Sequence, residues 1–252
     1  MAETTGIAWT DHTQNFWWGC SSTAGAGCDR CYAAALDHRT GGNFFGLGTR
    51  PRLTSIQNRN KPFRWNREAE ASGVRRKVFC GSMMDWADKN APEGARNKMW
   101  DIIRATPNLD WQLLTKRPGN IPDMLPDDWN NGYQNVWLGV TVENKRSGLR
   151  RLDQLRDIPA RIRFLSVEPL LEDLGSLDLT GISWVIIGGE SGAGYRPMDR
   201  AWVDSVISQC REQNVPVFFK QWGGLRGGSC VIDGREIKEW PEPFCSSKFT
   251  NT

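Results

Sequence analysis

The chain has 252 residues, is 39% hydrophobic and 24% charged, and carries a formal net charge of +3. That length suits one large domain, and the composition is that of a folded globular chain, which excludes a disordered or fibrous one. No apolar run approaches the ~20 residues that span a bilayer, and residues 1–10 show neither the basic flank nor the apolar stretch of a signal peptide, so a cytoplasmic protein without membrane contact is expected.

Taken in order, the chain alternates helical patterns with short apolar runs. A strand before Cys20 would complete the set, but its residues are ambiguous. A helix is expected over 31–38, a strand over 78–80, and a helix over 93–105. Strands over 110–114 and 136–142 follow, the second rich in β-branched residues. Then come a helix over 145–156, strands over 161–167 and 183–187, a helix over 200–213 with Asn214 as its stop signal, and a strand over 215–219. Continuous apolar strands alternating with helices predict a parallel α/β fold buried on both faces. From Gly223 onward Gly, Ser and Pro accumulate, so residues 225–252 are read as an irregular extension of a single domain with its core over 9–224.

Polar residues gather just past the strand ends. Ser82 and Asp85 follow the first, and Thr115, Lys116 and Arg117 the second. Thr141, Glu143 and Asn144 close the third, and Glu168 follows the fourth. Gly188, Gly189 and Glu190 follow the fifth, and Lys220 and Trp222 the sixth. In a parallel barrel these ends converge on one mouth, where active sites form; ordinary turn chemistry is the plainer account of any one of them. The 13 tryptophans suit cores and base-stacking surfaces alike.

Three of the seven cysteines fall within twelve residues: Cys20, Cys28 and Cys31. The Cys-x-x-Cys pair aims two thiolates at one centre, and the small, flexible gap before it can wrap a bulky inorganic group. A structural zinc site closes with four protein ligands. A four-iron cluster on three thiolates keeps one iron open to a small molecule. Zinc with His12, His38 or a distant cysteine, and a redox-active pair, remain alternatives.

The segment Trp17-Trp18-Gly19-Cys20 through Cys28-Asp29-Arg30-Cys31-Tyr32-Ala33 resembles a phage and bacterial family of radical-SAM-like proteins related to spore photoproduct lyase. The resemblance continues at 113–118 (LLTKRP), 135–144 (NVWLGVTVEN), 163–171 (RFLSVEPLL), 184–192 (WVIIGGESG) and 217–224 (VFFKQWGG). It implies a partial (β/α)6-type TIM-like barrel whose cysteine loop holds a [4Fe-4S] cluster. S-adenosylmethionine would bind the open iron, be cleaved with an electron from an external donor, and yield a 5′-deoxyadenosyl radical. The first gap, seven residues where the family pattern has three, departs from it, as does Arg30 in place of an aromatic residue before Cys31.

On this resemblance Lys116 or Arg117 would meet the cofactor carboxylate, Ser82 its amino group and Glu143 its ribose hydroxyls. Tyr32, Thr141 and Glu168 are further cofactor candidates, and Gly188 and Gly189 would allow close backbone approach. Cys80, Glu190 and Lys220 are the catalytic candidates, Cys80 as a quenching thiol. The expected substrate is a nucleobase in DNA or a modified nucleotide, specifically a glycine-bearing hypermodified thymine of phage DNA undergoing isomerisation. Basic residues from Arg50 to Arg67, with Phe63 and Trp65, suggest a segment that tracks phosphates and stacks a displaced base. Photoproduct repair, and a nucleic-acid-binding module with a structural cluster or zinc, are the alternatives.

Overall fold

The computed structural model describes residues 5–22 and 25–241; Thr23 and Ala24 of the cysteine gap, and Cys245, lie outside them. Short apolar segments form the strands: β1 (His12–Gln14), β2 (Trp17–Trp18), β3 (Arg52–Leu53), β4 (Arg76–Cys80), β5 (Leu109–Thr115), β6 (Val136–Thr141), β7 (Ile162–Val167), β8 (Trp184–Gly188), β9 (Val217–Gln221), β10 (Val231–Ile232) and β11 (Arg235–Glu236). The helices are α1 (Tyr32–Arg39), α2 (Ile56–Ser72), α3 (Ala95–Arg104), α4 (Arg150–Arg156) and α5 (Arg200–Glu212).

Seven strands pair in the order β1-β4-β5-β6-β7-β8-β9, every pair parallel. The sheet curls into a half-barrel compatible with a partial TIM-like barrel. The six strands expected from apolar runs are all present, and β1 is the early strand before Cys20. Its three residues, His12, Thr13 and Gln14, carry no apolar signal. They are held by pairing with Val78, Phe79 and Cys80.

Side-chain alternation sorts the sheet into two faces. Val78, Cys80, Trp111, Leu113, Val136, Leu138, Val140, Leu165, Val185, Ile187 and Phe219 belong to the cluster shared with the helices. Phe79, Trp137, Phe164, Trp184, Ile186 and Phe218 fill the concave side with Trp9. Most of the tryptophans are therefore packing residues. Phe164 fills the space over Gly139, where an added Cβ would lie 2.3 Å from its ring.

Local signals set the helix limits. Ser55 caps α2 by accepting from Asn58 N, and Gly73 ends it in the left-handed region at φ 64°. Asp199 caps α5, and Asn214 follows it with φ 56°. The helix expected over 145–156 is divided: Lys145–Leu149 is a π-helical turn that runs into α4.

Two expectations are corrected. The basic stretch from Arg50 to Arg67 is largely helix α2, and Trp65 is 1% exposed in the core, stacked on His12 with centroids 4.3 Å apart; it has no face for a base. The extension past 225 is not irregular throughout. β10 and β11 form a hairpin, and residues 237–239 pair along β9 through Phe219 N to Ile237 O at 2.8 Å and Glu239 N to Val217 O at 3.1 Å. Trp240 then packs on Phe218, so the edge strand is covered.

Candidate functional site

At the C-terminal ends of the strands the concave face changes character. Below lies the aromatic plug, with Thr13 and Gln112 in register with its Phe79; above it Thr141, Ser166 and Lys220 alternate inward after Trp137, Phe164 and Phe218 of their strands. Lys220 Nζ lies 2.8 Å from Glu168 Oε1, and Ser166 Oγ donates to Glu168 Oε2 at 3.2 Å. Thr141 is 1% exposed and its Oγ1 has no partner among the described residues, a costly arrangement for a buried hydroxyl. On the other flank Asn15 Nδ2 donates to Ser82 Oγ at 2.9 Å, and Tyr32 OH donates to the Ser82 carbonyl at 2.6 Å. The Tyr32 ring remains 58% exposed.

The cysteine loop rides over this mouth. Cys20 follows β2, Cys28 ends a 3-10 turn (Ala26–Cys28) and Cys31 is the N-cap of α1. All three are free, half-buried thiols. Side chains from four strand ends hold the loop. After β4, Asp88 accepts from Ser21 N at 2.6 Å and from Ser21 Oγ at 2.8 Å. After β5, Arg117 donates to Ser21 Oγ at 2.9 Å, to Cys20 Sγ at 3.4 Å and to Asp85 at 2.7 Å. After β6, Glu143 accepts from Gly27 N at 3.5 Å while Arg151 pairs with it. After β8, Arg196 donates to the Ala26 carbonyl at 3.1 Å and is itself paired with Glu190.

Several expected roles change accordingly. Arg117, Glu143 and Glu190 are engaged within the protein by Asp85, Arg151 and Arg196 and act as loop supports. Hydrogen bonds from Arg196 hold the Glu190 carboxyl below its usual range against the opposing effect of burial. Cys80 is fully buried on the helix-facing side, where burial pushes its thiol up; the alternation of β4 turns it away from the mouth. Gly188 and Gly189 do allow close approach, but to the protein itself: an added Cβ would lie 2.8 Å from Glu168 Oε1 at Gly188 and 2.1 Å from the Trp222 carbonyl at Gly189. Trp222 is pinned by its Nε1 to Val231 O at 2.9 Å. Thr141, Glu168, Lys220, Ser82 and Tyr32 are brought together at the mouth, and Lys116 lies beside the loop, its Cε 3.4 Å from where a Cβ on Gly27 would sit.

Sequence reasoning missed Asn15, Asp88, Arg151 and Arg196. None sits in a local motif: Asn15 and Asp88 act through contacts 67 positions away, Arg196 through one 170 positions away, and Arg151 through Glu143, 8 positions back.

Among the described residues, no group of three or more His, Cys, Asp or Glu side chains is set to hold a metal ion. The donor set of the loop nevertheless suits an iron–sulfur cluster. It offers three thiols in no disulfide, and Cys20 Sγ receives N–H groups from Arg117 and Ser22, each at 3.4 Å, as cluster sulfurs do. His12 is stacked on Trp65, away from the loop.

These features define a parallel α/β half-barrel with a thiol-bearing loop strapped over its strand-end mouth. The chain belongs to a family described as a protein of unknown function (DUF5131), whose model matches residues 4–239. Nothing among curated proteins or solved structures matches it. No helix among the described residues is long and apolar enough to cross a membrane.

Proposed function

We propose that the protein is a radical S-adenosylmethionine enzyme that holds a [4Fe-4S] cluster on Cys20, Cys28 and Cys31 and acts on a nucleobase in DNA, isomerising a glycine-bearing hypermodified thymine. The observation that carries the reading is the position of the cysteine loop. It lies at the C-terminal mouth of a parallel half-barrel, the end where such folds build active sites, above a concave layer with an orphan hydroxyl on Thr141.

When bound, the cluster and S-adenosylmethionine supply a carbon radical able to take a hydrogen atom from the substrate. The chain's own residues do the rest. Arg117 and the Ser22 N–H donate to Cys20 Sγ and offset in part the burial and the Asp85 carboxylate that push its thiol up to about 12. Thr141 Oγ1 and the Glu168–Lys220 pair offer hydrogen bonds to polar groups entering the mouth. Tyr32 presents an aromatic face beside them. The aromatic plug closes the floor and keeps water from below.

The test is anaerobic reconstitution with iron and sulfide, followed by S-adenosylmethionine, a reductant and DNA carrying the modified base. The expected results are about four irons per chain, lost when the three cysteines are replaced by alanine, formation of 5′-deoxyadenosine, and a nucleoside product of unchanged mass. Iron binding without cleavage of S-adenosylmethionine would reduce the cluster to a structural element.

A further inference from the structure

Beside the cysteine loop, between the ends of β5 and β6 and helix α4, lies a cavity of about 540 Å³. That is within the ~300–1,000 Å³ usual for small-ligand sites. Gly25 and Ala26 of the loop form one wall.

Its charge is lopsided. Lys116, Arg117, Arg146, Arg150 and Arg151 line it against a single carboxylate, Asp29. Arg117 is neutralised by Asp85 and Arg151 by Glu143. No partner is found among the described residues for the side chains of Lys116, Arg146 and Arg150, and Arg146 and Arg150 are exposed. Three uncompensated cations around one concave space repel each other, and an anion in the space relieves that repulsion. The lining holds no aromatic ring, so it offers a base nothing to stack on. Arginine forks match the paired oxygens of a phosphate, and lysine adds a point charge.

We propose that this cavity is a phosphate subsite, which takes a phosphate of a nucleotide substrate while the base lies in the adjoining mouth. The inference rests on the nucleobase reading above and extends it to the substrate's anionic part.

The test is binding to the full chain, by calorimetry at low salt, of thymidine, thymidine 5′-monophosphate, inorganic phosphate and a short single-stranded thymidylate oligomer. The monophosphate or the oligomer should bind at least ~10-fold more tightly than thymidine, the equivalent of one charge-assisted hydrogen bond. Inorganic phosphate should compete. If the monophosphate suffices, the phosphate belongs to the nucleotide acted on; if only the oligomer gains, it belongs to a neighbouring position in DNA. In Arg146→Gln/Arg150→Gln that advantage should fall ~10-fold or more, and Arg146→Lys/Arg150→Lys should restore part of it, with far-UV dichroism unchanged in both. Equal affinity for thymidine and its phosphates, or a double variant that keeps the advantage, overturns the proposal. So does a variant that loses S-adenosylmethionine binding but keeps phosphate binding, because the cavity would then serve the cofactor. Phosphate binding by a wild-type protein that never cleaves S-adenosylmethionine would overturn the enzymatic reading and leave the subsite standing.

Discussion

Arg117 Nη1 stands 3.4 Å from Cys20 Sγ and 2.7 Å from Asp85 Oδ2, so one guanidinium holds a thiol and a carboxylate at once. Its side chain is 12% exposed and that of Asp85 9%. Truncating one member of so buried a pair strands the other, at a cost of about 3 kcal/mol. Arg117→Ala should therefore lower global stability by that order and speed amide exchange at Ser21, whereas Asp85→Asn/Arg117→Met should be much milder. Denaturant midpoints with hydrogen exchange measure both.

Gly139→Ala places a methyl group where the Phe164 ring lies. Overpacking of that kind costs about 1–3 kcal/mol. Pairing it with Phe164→Leu should recover part of the loss, giving a non-additive double-mutant cycle in urea unfolding.

The Glu190–Arg196 pair governs one support of the cysteine loop. Its carboxyl is held below the ordinary glutamate value, so the pair's contribution is complete above that value and is lost as the pH falls through the lower, folded one. Glu190→Gln should loosen the loop at neutral pH and abolish this acid dependence. Protease cleavage between residues 25 and 31, followed by mass spectrometry against pH, distinguishes the two proteins.

Cys210 is fully buried on the inner face of α5, and burial pushes its thiol from 9.0 up to about 12. The fold favours the protonated form. Its contribution is intact below the ordinary thiol value and is lost as the pH rises from there toward the folded one, at up to ~1.4 kcal/mol per pH unit. Cys210→Val should raise the pH at which alkali unfolds the protein, read by tryptophan fluorescence. Alkylation at pH 8 should spare Cys210 and label exposed thiols first.

Six of the seven sheet strands are legible because each carries a run of buried apolar residues: Val136–Thr141 and Trp184–Gly188 have no exposed residue. β1 is not, because His12 and Gln14 face α2, where His12 stacks on Trp65 and Gln14 donates to Asn58 O. Helix α2 is illegible for a related reason: its many charged residues leave a weak apolar stripe, and the buried Trp65 stands among arginines in the sequence. At the mouth, residue type and strand position placed Thr141, Glu168 and Lys220 well. Nothing in residue type marks Arg117, Glu143 and Glu190 as paired with Asp85, Arg151 and Arg196, which stand 32, 8 and 6 positions away, spacings outside the i,i+3 and i,i+4 pattern by which helical ion pairs are read.

The supports of the cysteine loop also set an order of assembly. Their partners lie 67, 96, 116 and 170 positions further along the chain, at Asp88, Arg117, Glu143 and Arg196. The thiols leave the ribosome first, and the last strut that fixes them leaves late, after β8. Contacts of such long range form late in folding. A nascent chain therefore exposes its three thiols long before it has a frame to hold them, and the proposed cluster would be loaded only once Arg196 has emerged.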